Sequence, residues 1–222
     1  RFNYFAGMKR KNILFLFLLF FATACRENID VQSTSMSDSL LAVNFQLIDS
    51  VKPLLKSGDL IFRNGNDDVS RAARSMNRKD TSFSHCGFVY RENDSFFVYH
   101  AIGGVYNPSQ KLKRELLDSF CNPKENDAIG IYRYGLTTKE EVKLDTIVKN
   151  YFNAGLKFDM YFNFLSDDVM YCSEFVFKSL NQSTNGSLSK YLRLDTIPYG
   201  VSTDDLFLNE KSRLVKRQQF RK

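Results

Sequence analysis

Histidine is nearly absent from this chain. Of 222 residues only His85 and His100 carry an imidazole, and both fall in its middle region. There is also no CxxC pair and no HExxH signature. Common structural and protease zinc sites draw their ligands from such spacings, so those classes are set aside. His85, His100 and Cys172 would make a three-ligand catalytic zinc site, but no spacing of this kind supports one, and neither metal nor cofactor is expected. A surplus of one charge is missing too, once its location is considered. The net charge of +6 includes Arg1, Lys9, Arg10 and Lys11, with no acid before Cys25. Without those four residues the balance is 27 basic to 25 acidic, which excludes a nucleic-acid partner. No internal repeat is present.

Long apolar runs are lacking as well. The unbroken run over residues 13–21 is shorter than the roughly 20 residues a membrane-spanning helix needs. Met8-Lys9-Arg10-Lys11 precedes it and Ala22-Thr23-Ala24-Cys25 follows, the basic, apolar and small-residue regions of an export signal. Small residues before a cysteine resemble the lipobox of bacterial lipoproteins, whose cysteine is lipidated and becomes the mature N-terminus; Ala22 stands where leucine is usual. The expected organisation is a signal peptide over 1–24, with 1–7 a mis-called start before Met8. A polar, serine-rich tether lipidated at Cys25 follows over 25–39, then one domain over 40–222. Several acyl chains anchor stably where one holds only marginally, so the domain is expected at a membrane surface in the cell envelope.

With 43% hydrophobic and 14% aromatic residues, the domain has material for a proper core. Leu41, Phe45, Ile48 and Val51 predict a helix ending near Pro53. Ser57-Gly58-Asp59 turns the chain into a strand at Leu60-Ile61-Phe62-Arg63. Val69, Ala72, Ala73 and Met76 mark a small helix capped by Asp67 or Asp68. Residues 85–91 and 96–101 read as a hairpin around Glu92-Asn93-Asp94-Ser95, 109–120 as a helix, and 128–134 as a third central strand. Thr137 or Thr138 caps a helix burying Val142, Ile147, Val148 and Tyr151. An irregular aromatic and acidic stretch over 158–168 leads to a helix that starts near Tyr171 and buries Phe175, Val176 and Leu180. Asn185-Gly186 closes that region with turn chemistry. Ser202 or Thr203 caps a turn in the tail, and the last segment is basic. An antiparallel sheet with helices segregated to one side is the α+β class.

Cysteine is sparse, with four in the chain. Cys25 is the lipid site. Cys86 and Cys121 are either bonded in an oxidising compartment or two buried free thiols. Cys172 stands where a loop turns into a helix. A thiol is mostly protonated at neutral pH, and a helix N-terminus together with an imidazolium lowers its pKa. His85 is the candidate base, held on a strand. His100, on the next strand, is the candidate group that fixes the His85 tautomer. The Cys172 backbone N–H is a candidate oxyanion donor, a feature worth about 10²–10³ in rate, and Tyr171 is a candidate oxyanion donor or pocket wall. Asp59 reads as a turn residue and Glu174 as a charge meeting the helix dipole.

Gly58-Asp59-Leu60-Ile61-Phe62, Ser84-His85-Cys86-Gly87, Tyr99-His100-Ala101 and Tyr171-Cys172-Ser173-Glu174-Phe175-Val176, in that order, resemble the permuted papain-like (YiiX/YebB-like) cysteine hydrolases of the NlpC-type superfamily. In that family the histidine strand precedes the nucleophile helix, and the likeness runs from about Ser57 to Leu206. It implies an antiparallel sheet packed on helices, with the nucleophile at a helix N-terminus. It further implies a Cys172–His85–His100 triad cleaving an amide through a thioester, with cell-wall peptides as the candidate substrate. Position 100 is often an acid in bacterial members. Histidine there resembles the lecithin retinol acyltransferase-like branch, which implies the alternative of an acyltransferase or lipase acting on membrane lipids. A non-catalytic binding module is the third alternative.

Overall fold

The computed structural model describes residues 36–192 and 199–222. The expected signal peptide, Cys25 and most of the tether lie outside the described residues. Among those described, no helix is long and apolar enough to cross a membrane. In chain order the elements are α1 (Asp38–Val51), β1 (Asp59–Gly65), α2 (Asp68–Ser75), β2 (His85–Glu92), β3 (Ser95–His100), β4 (Lys113–Leu116), α3 (Leu117–Phe120), β5 (Asn126–Tyr134), α4 (Thr138–Asn153), β6 (Lys157–Phe158), β7 (Val169–Met170), α5 (Cys172–Ser183) and β8 (Ser212–Gln219). Six strands form one antiparallel sheet in the order β4-β3-β2-β1-β5-β8, and β6 pairs in parallel with β7.

The central strands are apolar at successive positions, so both sheet faces need cover. Leu60, Phe62, Cys86, Phe88 and Tyr99 pack with Leu144 and Val148 of α4 and Phe175, Val176 and Leu180 of α5. Ile61, Val89, Val98, Ile129 and Ile131 form the second core with Ile48 and Val51 of α1 and Leu117 and Phe120 of α3. The α+β class holds, but the helices lie on both faces rather than one. Cys86 sits in the first core and Cys121 in the second, each a free thiol, so the sheet itself separates them and they do not bond.

Local signals set several ends. Asp67 accepts from the Ser70 N–H at the start of α2. Thr137 and Glu140 form a reciprocal capping box at α4. Two local readings are overturned, the helix over 109–120 and the burial of Val142. The helix expected over 109–120 is instead β4 followed by the single turn of α3, because Lys113, Arg114 and Glu115 pair with His100, Tyr99 and Val98 of β3; ladder bonds across the sheet outweigh a weak helical pattern. The basic tail is a strand, β8, whose lysines and arginines suit a sheet edge. Val142 is 64% exposed, and Leu144 fills the core instead. The α2 stripe is not core either: Val69 is largely exposed, while Ala73 and Met76 edge a cleft described below.

Candidate active site

His85 opens β2 and His100 closes β3, so the hairpin brings both rings to one end of the sheet. A Cβ on Gly87 would lie 2.8 Å from the His100 Cβ; the glycine leaves the space in which His100 sits. His85 Nε2 and His100 Nδ1 are 2.8 Å apart, and His100 Nε2 is 2.8 Å from Glu115 Oε1. Glu115 lies opposite Val98 on β4, the diagonal neighbour of His100 on the same sheet face. Lys113 Nζ holds its other oxygen at 2.8 Å.

These distances determine the proton positions. Burial would raise the Glu115 pKa, but the His100 hydrogen bond and Lys113 outweigh it and bring it down to about 2. An ionised carboxylate only accepts, so His100 carries its proton on Nε2. Complete burial lowers the His100 pKa to about 3, against the opposing pull of Glu115, so the ring is neutral and Nδ1 accepts. His85 Nε2–H therefore donates to His100, which leaves His85 Nδ1 for another partner.

Cys172 is the candidate for that partner. It is the first residue of α5, partly buried and packed against the core that contains Cys86. A hydrogen bond from the Cys86 thiol, then the charge and hydrogen-bonding of His85 and the Ser173 N–H, pull the Cys172 thiol well below the ordinary range against the effect of burial. The flanking residues grip one backbone unit. The Tyr171 hydroxyl accepts from the Val201 N–H at 3.2 Å, and the Ser173 hydroxyl donates to the Val201 carbonyl at 2.7 Å. Gly200 passes so close that a Cβ there would lie 2.3 Å from the Tyr171 oxygen. Asp204 fastens the same segment to the loop after α2, accepting from the N–H groups of Arg78, Lys79 and Asp80 at 3.1, 2.7 and 3.2 Å.

Between these two loops a cleft of about 70 Å³ opens in front of Cys172, walled by Met76, Asn77, Phe162, Tyr171 and Gly200. Asp59 is a structural residue, buried and paired with Arg133 at 2.6 Å. Glu174 accepts from the Tyr171 N–H at 3.2 Å, and burial raises its pKa to about 7. The readings above missed Glu115 and the Val201 clamp. Glu115 was concealed by the apparent helix, and the clamp joins residues about thirty positions apart. Among the described residues no group of three His, Cys, Asp or Glu side chains is arranged to hold a metal ion. The histidine nitrogens point instead at each other and at Glu115.

Residues 54–212 match the family model described as permuted papain-like amidase enzyme, YaeF/YiiX, C92 family. No curated protein matches the chain. Among solved structures, the metalloprotein yiiX from Escherichia coli O157:H7 is similar, at 21% identity and a TM-score of 0.55, over 74% of this chain and 98% of its own. That likeness carries the fold. On the family match, the chain belongs to the permuted papain-like amidases of the YaeF/YiiX, C92 family and is, at that level, a cysteine hydrolase of amide bonds.

Proposed function

We propose that Cys172 is the nucleophile of an amidase or peptidase, that His85 is its base, and that His100 and Glu115 hold His85 in the reactive tautomer. The observation that carries this reading is the line of 2.8 Å contacts from His85 through His100 to Glu115, with Cys172 at the start of α5 near enough for His85 to help lower its thiol pKa. The Cys172 thiolate attacks the amide carbonyl while His85 Nδ1–H protonates the departing amine, and a thioester remains. His85 then takes a proton from water, which opens the thioester and releases the acid. The backbone N–H of Cys172 stabilises the oxyanion. Tyr171, whose hydroxyl accepts from Val201, acts as cleft wall. The cleft has room for a handful of waters or one small side chain, which favours a peptide amide, such as a cell-wall peptide, over a long acyl chain. Lipidation at Cys25 would hold the enzyme on a membrane in the cell envelope.

A second reading, acyl transfer on lipid, draws on exposed apolar residues in the segment that contributes Phe162 to the cleft, Tyr161 at 92% and Leu165 at 73%. Wild-type protein is expected to cleave peptidoglycan fragments and leave phospholipid intact; the reverse result selects the lipid reading. Iodoacetamide at neutral pH is expected to modify Cys172 and spare Cys86 and Cys121, both buried with pKa values pushed up by that burial. Equal labelling of all three in folded protein would remove the basis for an activated nucleophile.

Glu115→Gln tests the proton path. A glutamine can donate to His100 Nε2, which reverses the chain and leaves neutral His85 with its proton toward sulfur, unable to act as base. The expected loss in kcat is about 10²-fold, milder than the loss from a wrong tautomer imposed next to the base. The pH at which Cys172 becomes alkylatable should also rise. An unchanged alkylation profile would reduce Glu115 to a surface-strand charge.

A further inference from the structure

Cys86 has no place in the proton path, yet it belongs to the core against which the candidate nucleophile packs. It is fully enclosed on the face of β2 that packs on α5, in the core cluster against which Cys172 rests. Cys172 opens the helix that packs on this face of β2, and the two thiols shift each other's ionisation, Cys172 down and Cys86 up. Filling that space needs no sulfur. Cys172 itself is partly exposed in the cleft, and an accessible thiolate is the form that peroxides oxidise. Cys121 lies on the other side of the sheet and is not available to it.

We infer that Cys86 is a resolving thiol, which captures Cys172 as a Cys86–Cys172 disulfide when the cleft meets a peroxide. In the first step the Cys172 thiolate attacks one peroxide oxygen. The O–O bond breaks, sulfur gives up two electrons, and the departing hydroxide takes a proton to become water, leaving the sulfenic acid. In the second step the Cys86 sulfur attacks the Cys172 sulfur. The S–S bond forms, the S–O bond breaks, and the hydroxyl leaves as water with the Cys86 proton. Two thiols and one peroxide thus become one disulfide and two waters. A buried, protonated thiol is a slow nucleophile in general, but contact with its target replaces encounter from solution. The bridge silences the cleft reversibly, whereas an unresolved sulfenic acid proceeds to the sulfinic acid, which thiols do not reverse.

The inference needs the thiolate state of Cys172 that underlies the proposed function, but not turnover, so its test reads mass alone. Reduced full-length protein is treated with one equivalent of hydrogen peroxide, its remaining thiols are blocked, and its peptides are mapped. The expected product is one cross-linked pair of the Cys86 and Cys172 peptides, two hydrogens lighter than the two thiol peptides together, which dithiothreitol separates into those peptides. Cys121→Ala should give the same cross-link. Cys86→Ala should give none and should accumulate two added oxygens on Cys172 at the same dose. Sulfinic acid in the wild type without a cross-link, or a cross-link joining Cys172 to another cysteine, overturns the inference even if the protein hydrolyses amides. The wild-type map decides the matter should Cys86→Ala fail to fold.

Discussion

Cys172→Ala is expected to lower kcat/KM for an amide substrate by about 10⁴-fold or more, with KM little changed. In the proposed mechanism the sulfur forms the covalent intermediate, and the neighbouring Ser173 hydroxyl is held by its hydrogen bond to the Val201 carbonyl. What remains is the rate supplied by binding and by the oxyanion donors alone. His85→Ala should cost a comparable factor, and the double variant little more than either single one, because groups that act as a unit lose their effect together. Steady-state turnover of a peptide amide by wild type and the three variants provides the measurement. Additive losses, or turnover surviving in Cys172→Ala, would show that the chemistry lies elsewhere in the molecule.

Asp204→Ala is expected to destabilise the fold by about 3 kcal/mol. The carboxylate is almost wholly buried and serves three backbone N–H groups and the Ser202 hydroxyl. Alanine leaves those donors without their acceptor in a region closed to water, and each unsatisfied group costs about 1–3 kcal/mol before relaxation. Asp204→Asn keeps one carbonyl oxygen and should lose less. The pH dependence has a definite sign. Burial raises the Asp204 pKa, but the Ser202 hydroxyl and the three N–H groups outweigh it and hold it below the usual value. The stabilisation is therefore complete above the unfolded value of about 3.9 and fades as pH falls through the lower folded value. Denaturant midpoints at pH 7 and in acid should converge for wild type and Asp204→Ala. A constant gap across that range would assign the loss to packing. Because Asp204 anchors one cleft wall, this variant should also weaken substrate binding at temperatures where it remains folded.

Some of this was legible in the residues themselves. A hairpin whose turn is Asn93-Asp94 necessarily brings the strand ends at His85 and His100 together. Cys172 opens its helix where Glu174, three residues on, accepts from the Tyr171 N–H just before α5. The Thr137 and Glu140 pair at α4 belongs to the same class of short-range signal. Glu115 is a different case. Local spacing gave residues 109–120 a helical reading, and only the ladder with β3 makes 113–116 a strand and turns the carboxylate toward His100.

From sequence alone came the chemical types at the site, the order of histidine strand before cysteine helix, and the α+β class. These depend on hydrophobic period, turn chemistry and helix capping, interactions that reach only a few residues along the chain. Tertiary structure alone decided the rest: the carboxylate behind His100, the thiol beside Cys172, the Val201 clamp, and helices on both faces of the sheet. Each of these is a contact between segments that local preference does not link. Sheet register and core packing bring such segments together, and no pattern within either segment encodes the meeting.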